Sequence, residues 1–231
     1  MIGFFLENWH LYLAGLATAL LISVLAYGLA VVIGTFGALA RTSASKPLRL
    51  MSATYVAVFR SMPPLLTLYL VYFALPSFAV SVGSDVLIAL TEPLGNRIIA
   101  AVAAFTLTSG AYATEIIRAG IASVSHDQIE AARSIGMTSG QTFRRVVGPQ
   151  AFRVAFPTLS NEYLIALKAT SLASVIGVVE VMRAAQILAS ASFQHLLAYS
   201  IAGLFYIAFA SVLQIALQGL EGSLPGTVSR H

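Results

Sequence analysis

The sequence contains no cysteine, so it can form neither a disulfide nor a thiolate metal site, and the redox compartment stays open. Charge is also scarce. Of 231 residues 10% are charged, against roughly a quarter in soluble domains. Its four histidines, at 10, 126, 195 and 231, show no ligand spacing, and no H-E-x-x-H occurs, so no metal site is expected. The two lysines, Lys46 and Lys168, do not follow glycine, so the G-x-x-x-x-G-K-[ST] loop that cradles nucleotide phosphates is missing. The chain is therefore not expected to hydrolyse ATP, to carry catalytic residues or to bind a cofactor itself. No nucleic-acid partner is expected either. No basic residue precedes the first apolar run and no small-residue cleavage site follows a short one, so no cleaved signal peptide is expected. Long repeats and low-complexity tracts are lacking as well.

What fills the sequence is apolar. Hydrophobic residues make up 58%, and the mean hydropathy is +0.86. That is more apolar surface than one soluble core can hide, so the chain reads as an all-α, multi-pass membrane protein. A helix needs about 20 apolar residues to cross the hydrocarbon. Five runs qualify, at about 12–40, 50–80, 98–117, 154–179 and 196–220, within a single domain covering 1–231. The second holds Arg60 and Pro63-Pro64 and is expected to break or tilt near its start. The segments around 81–96 and 180–194 read as short outer loops.

Basic residues sort unevenly between the two sides. One set of segments holds Arg41, Lys46, Arg49, Arg118, Arg133, Arg144, Arg145, Arg153 and Arg230, and the other only Arg97 and Arg183. Arg60 and Lys168 fall inside spans. Lysine and arginine favour the cytoplasmic side, so the N-terminus is expected outside and the C-terminus inside. The polar island 125–150 then faces the cytoplasm.

That island reads as two short helices. Ser125 with Gln128 fits a capping box, and Thr138 with Gln141 fits a second. Gly136 can take the left-handed turn that ends the first helix, and Gly148-Pro149 is expected to end the second. Between them stand Glu130-Ala131-Ala132, three residues, Gly136, nine residues, then Val146-Val147-Gly148-Pro149. This spacing resembles the signature of the membrane subunits of ATP-binding-cassette importers, E-A-A, three residues, G, nine residues, I-x-L-P. Val146 replaces the usual Ile and Gly148 the usual Leu. Further stretches are similar to the polar amino-acid permeases of histidine, arginine, glutamine or glutamate uptake. They are 59–66 (FRSMPPLL), 111–120 (AYATEIIRAG), 148–153 (GPQAFR) and 161–172 (NEYLIALKATSL). Ser61-Met62 departs from Gly-Thr, and His126-Asp127 from a Gly before Gln. The Ser-Asn-Glu at 160–162 is most similar to the basic amino-acid branch.

The resemblance implies a type I importer permease of the bacterial inner membrane. Its expected partners are a dimer of ATP-binding subunits, a second permease subunit, identical or homologous, and an extracytoplasmic solute-binding protein. An amino acid is the expected substrate, and membrane lipid the surroundings. ATP and Mg would bind on the partner. The 125–136 helix is then expected to dock into the ATP-binding subunit. Glu130 would pair with a partner arginine, Ala131 and Ala132 would admit close backbone contact, Gly136 would turn the chain away, and Arg133 would add rim charge. The other reading of this helix is an amphipathic segment on anionic lipid.

Charge inside spans supplies the candidate pathway, since a charge at the bilayer centre costs roughly 2.5–3.5 kcal/mol. On an ideal helix Asn161, Lys168 and Ser171 share a face, with Glu162 about 100° away. A zwitterionic amino acid needs an acceptor for its ammonium, which Glu162 supplies, and a donor for its carboxylate, which Lys168 supplies. Both could instead pair with neighbouring spans. Arg60 and Thr67 share a face at i, i+7, where the Pro63-Pro64 break frees carbonyls; the other reading of Arg60 is a head-group anchor. Glu115 and Arg118 read as a local ion pair. Gly15, Gly28, Gly34 and Gly37 suit either a subunit seam or ordinary glycine enrichment. Trp9, Tyr12, Tyr69, Tyr72 and Tyr199 fit interfacial belts. The competing class is an ATP-independent secondary transporter or channel for a small polar solute. That class favours an inverted repeat with an acid in each half, and none is visible.

Overall fold

Lipid offers no partner for bare N–H and C=O groups, so a chain this apolar must satisfy its backbone inside helices. The computed structural model describes residues 2–223 and has no strand among them. Four helices are long and apolar enough to cross a bilayer, within 4–42, 64–82, 97–122 and 195–223. A pair of helical segments, 139–176 and 181–192, bent by 45°, makes a fifth crossing if the two count as one broken span. Arg230 lies outside the described residues.

Helix α1 (Ile2–Thr42) starts ten residues before the expected span. Tyr12 is wholly buried, its hydroxyl donates to the Ala198 carbonyl at 3.0 Å, and its ring stacks on Phe205 at 5.4 Å. Tyr12 is therefore not a belt residue. Trp9, Tyr69 and Tyr199 stay exposed, while Tyr72 packs against the core.

The expected second span is two helices. Helix α2 (Lys46–Ser61) stops where Met62 and Pro63 turn extended, with ψ of 131° and 134°, and α3 (Pro64–Tyr69) starts afresh. A turn with i→i−5 bonding (Leu70–Ala74) joins α3 to α4 (Leu75–Val82). The loop after it is largely helical too, α5 (Asp85–Thr91) and a 3₁₀ turn (Glu92–Gly95). Next comes α6 (Arg97–Ala122), the most enclosed span, its N-terminal N–H groups capped by Asn96.

The cytoplasmic-island candidate follows as α7 (His126–Ser134) and α8 (Ser139–Thr142). Gly148-Pro149 does not end a helix. Through a second i→i−5 turn (Phe143–Val147), α8 runs on into α9 (Gly148–Ala169). Both wide turns directly precede an X-Pro pair, Leu75-Pro76 and Gly148-Pro149. In each, the residue before proline donates to the carbonyl five back, Leu75 to Leu70 and Gly148 to Phe143. The widened turn absorbs the missing proline N–H and the ring that would clash with an α-helical carbonyl. A 3₁₀ stretch (Thr170–Ile176) leads from α9 to α10 (Val181–Ser192), where an outer loop was expected, and α11 (His195–Ser223) closes the chain.

The core sits where α1 lies along α6. Ile22 and Ala26 of α1 meet Ala100, Ala101, Ala104 and Phe105 of α6, with Leu68 and Val71 alongside. Lipid tails give no hydrophobic push between helices, so close approach over small side chains holds the pair. A Cβ at Gly37 would fall 2.5 Å from Thr114 Oγ1, and one at Gly34 would fall 2.6 Å from the Ala113 Cβ. These two glycines form a seam within the chain, whereas Gly28 meets nothing. Gly37→Leu is expected to lower stability by about 1–3 kcal/mol, read as the unfolding midpoint in detergent. An unchanged midpoint would mean that α1 and α6 slide apart without loss.

Candidate functional site

Two polar regions stand out, the α7 segment and a group of charged side chains on α2, α6 and α9. Helix α7 is short and exposed, with Asp127 in its first turn and Arg133 in its last, each sign complementing the helix dipole. Its end is a Schellman turn. Gly136 sits at φ +84°, the Met137 N–H donates to the Ala132 carbonyl at 3.2 Å, and the Gly136 N–H to Arg133 at 2.9 Å. The Thr138–Gln141 capping box is present in both directions, at 3.3 and 3.0 Å.

The Ser125–Gln128 box is not. Ser125 occupies the cap position but its side chain makes no cap bond. Gln128 is engaged elsewhere: its Oε1 accepts from Gln150 Nε2 at 2.7 Å, and the same amide donates to the Val146 carbonyl at 3.0 Å. An amide pair therefore ties α7 to the base of α9. Ala132, the only buried residue of α7, adds a packing contact. It points into the chain and leaves Glu130, Ala131 and Arg133 outward. Of the two alanines, only Ala131 can admit an outside backbone. Gln150 was missed because its partner is 22 residues away.

Glu130 is 64% exposed, and among the described residues its ion pair is with His126, at 3.2 Å. Ile135 is 75% exposed just past the helix, and Phe143 is exposed nearby in sequence. Removing one neutral hydrogen bond costs about 1 kcal/mol, so Gln150→Ala should broaden the distances between spin labels on α7 and α9. The lack of cysteine makes label placement clean. An unaltered distribution would mean the amide pair does not position α7.

In the second region α9 exposes Asn161 and Lys168 and half-buries Glu162. Ser171 does not continue that face, because α9 gives way to the 3₁₀ stretch at Thr170, whose residues advance by a larger angle. The Ser171 hydroxyl donates back to the Lys168 carbonyl at 2.8 Å. Arg60 is exposed and lies over the Tyr112 ring at 5.2 Å. With Tyr112, Glu115, Arg118 and Thr158 it lines a cavity of about 340 Å³.

Thr67 is not its neighbour on a face. The extended Met62-Pro63 step destroys the register across the break, and Thr67 is 1% exposed with a hydroxyl unpartnered among the described residues. One freed carbonyl, that of Arg60, accepts from the Tyr112 hydroxyl at 3.5 Å. Glu115 and Arg118 form the expected pair at 2.8 Å, and Arg41 of α1 joins at 3.4 Å.

Glu180 was read as lying in an outer loop and is wholly buried. It caps α10, accepting from the Met182 and Arg183 N–H groups at 2.8 Å each, and receives the Tyr206 hydroxyl of α11 at 2.6 Å. An acid directly before the apolar-periodic 181–189 run was a readable helix-start signal.

Known proteins share the fold of this chain. The L-cystine transport system permease protein TcyB of Bacillus subtilis is 35% identical over 96% of this chain and 90% of its own length. The octopine transport system permease protein OccM of Rhizobium radiobacter is 35% identical over 96% and 89%. A crystal structure of an amino acid ABC transporter with histidines matches with a TM-score of 0.83 at 33% identity, covering 95% of this chain and 96% of that one. The inward-facing MetNI methionine ABC transporter shares the fold, with a TM-score of 0.73 at 17% identity over 94% and 97%. A family model for the inner membrane component of binding-protein-dependent transport systems matches residues 30–224, and the chain belongs to that family.

Proposed function

We propose that this chain is the membrane-spanning permease subunit of an ATP-driven importer of polar or basic L-amino acids in a bacterial inner membrane. Its N-terminus lies outside, its C-terminus inside, and α7 is in the cytoplasm. Two such subunits, identical or homologous, enclose the pathway. A dimer of ATP-binding subunits carries out hydrolysis, with ATP and Mg on that dimer, and an external solute-binding protein delivers substrate.

The observation that carries this reading is α7 itself. It is an exposed nine-residue rod, stopped by a left-handed glycine and tied to α9 through Gln128 and Gln150. A partner gripping its outer face at Glu130, Ala131 and Arg133 moves α9 with it, which is how rigid-body closure reaches a span. In the pathway Glu162 receives the substrate ammonium. Arg60 and Lys168 are the cations available for its carboxylate, with Asn161 and Ser171 as neutral partners. Buried Thr67 is left out.

Vesicles holding this chain and its partner subunits should accumulate labelled amino acids only with ATP inside the compartment that α7 faces. Equal uptake without ATP would favour a secondary transporter. Glu162→Ala should lower the rate about tenfold or more, the loss of one charge-assisted hydrogen bond. Unchanged rate and affinity in that variant would remove Glu162 from the pathway.

A further inference from the structure

We infer that the chain carries a binding site for the phosphate head group of an anionic phospholipid, formed where α1, α2 and α6 end on the α7 side of the membrane. Its assignment to the inner leaflet rests on the orientation proposed above. A cavity of about 500 Å³ is lined there by Arg41, Lys46, Arg49 and Arg118, with Leu50 and Ala53. Four cations converge from three helices.

Among the described residues the acid that pairs with the cluster is Glu115, which holds Arg118 at 2.8 Å and Arg41 at 3.4 Å from behind. Glu115 positions two guanidinium groups without neutralising the cluster. Arg49 is also held in place, donating to the Ser43 and Ala44 carbonyls at 3.0 and 3.3 Å. Lys46 is exposed and makes no ion pair among the described residues. The cluster keeps a net positive charge, and fixed guanidinium forks match phosphate oxygens.

Location and lining select a lipid rather than a soluble anion. Arg41 ends a helix that crosses the bilayer, and Arg118 lies one turn before the end of another, so the cavity is at head-group depth. Leu50, which lines it, is 65% exposed, and the adjacent Leu48 and Met51 are exposed as well, giving acyl chains an apolar surface beside the cations. Basic pockets between spans recognise anionic head groups in this way, each cation contributing through the surface potential.

The test uses native mass spectrometry of the full chain, with whatever subunits co-purify, after exchange into mixtures of phosphatidylglycerol and phosphatidylcholine. Wild type should retain phosphatidylglycerol selectively, and Lys46→Gln should retain it about fivefold less, the contribution of one cation near a membrane surface. Lys46 is exposed and makes no ion pair among the described residues, so folding should be untouched, and an unchanged unfolding midpoint would verify that. Arg144→Gln removes the same charge from the α7–α9 connection and should leave retention as in wild type.

Equal loss in Arg144→Gln, or no selectivity in wild type, would overturn the site. Displacement of phosphatidylglycerol by millimolar inorganic phosphate would show a soluble-anion site instead, and loss of the ATP-binding subunit with lipid retention unchanged would assign the surface to that partner. These readouts measure lipid, not transport, so absence of ATP-driven uptake would sink the permease reading alone.

Discussion

Reversing the charge of Glu130, in Glu130→Arg, is expected to abolish ATP-driven uptake and to strip the ATP-binding subunit from the complex during purification. Glu130 faces outward on α7, and among the described residues its ion pair is with exposed His126. An exposed i, i+4 pair of this kind adds little to stability. The unfolding midpoint of the isolated permease should therefore stay put, which separates docking from folding. In the proposed docking the same carboxylate would be desolvated beside a partner cation, and reversal would replace attraction by repulsion. Losing one member of such a pair weakens binding about thirtyfold or more. Wild-type uptake with the partner still bound would remove Glu130 from the docking surface. Glu130→Gln, which keeps size and one acceptor, should give an intermediate loss.

The second large effect concerns stability. Glu180→Ala should cost about 3 kcal/mol, because it removes a helix cap and takes the carboxylate acceptor from three part-buried donors, the Met182 and Arg183 N–H groups and the Tyr206 hydroxyl. Space is no remedy, since Glu180 is wholly enclosed and its backbone is pressed against α1, 2.7 Å from where a Cβ at Gly15 would sit. In thermal unfolding this predicts a fall of about 5–10 °C in the apparent midpoint. Tyr206→Phe should lose about 1 kcal/mol, and in the double variant the two losses should not add, because both remove the same bond. A midpoint within experimental error of wild type for Glu180→Ala would mean that α10 and α11 are held together by packing alone. Uptake is a separate readout: among the described residues the Glu180 carboxylate bonds to Met182, Arg183 and Tyr206, none of them in the proposed pathway, so any complex that survives should bind substrate with ordinary affinity.

Much of this chain was legible one neighbourhood at a time. Hydropathy alone marks an all-helical, multi-pass membrane protein, because each crossing must satisfy its own backbone. Gly136, the Thr138–Gln141 box and the Glu115–Arg118 pair need only residues within four positions, and all three are present. The Glu130-Ala131-Ala132 to Pro149 spacing pointed to the family for the same reason: it is a local pattern.

What tertiary structure alone decided is which face of each helix is covered, and by what. The Tyr12 and Ala198 partners are 186 residues apart, Glu180 and Tyr206 are 26 apart, and Gln128 and Gln150 are 22 apart. Helical periodicity states that a side chain has a face, but the neighbour on that face comes from another helix. So Tyr12 moved from the interface to the core, Ala132 turned inward, Glu180 became a buried cap, and Thr67 parted from Arg60 once two prolines reset the helix between them. Proline did not stop α8 before α9, because one widened turn satisfied the backbone around it. Local chemistry determined the helices and their ends; long-range packing determined which polar groups are left to meet a partner, a substrate or a lipid.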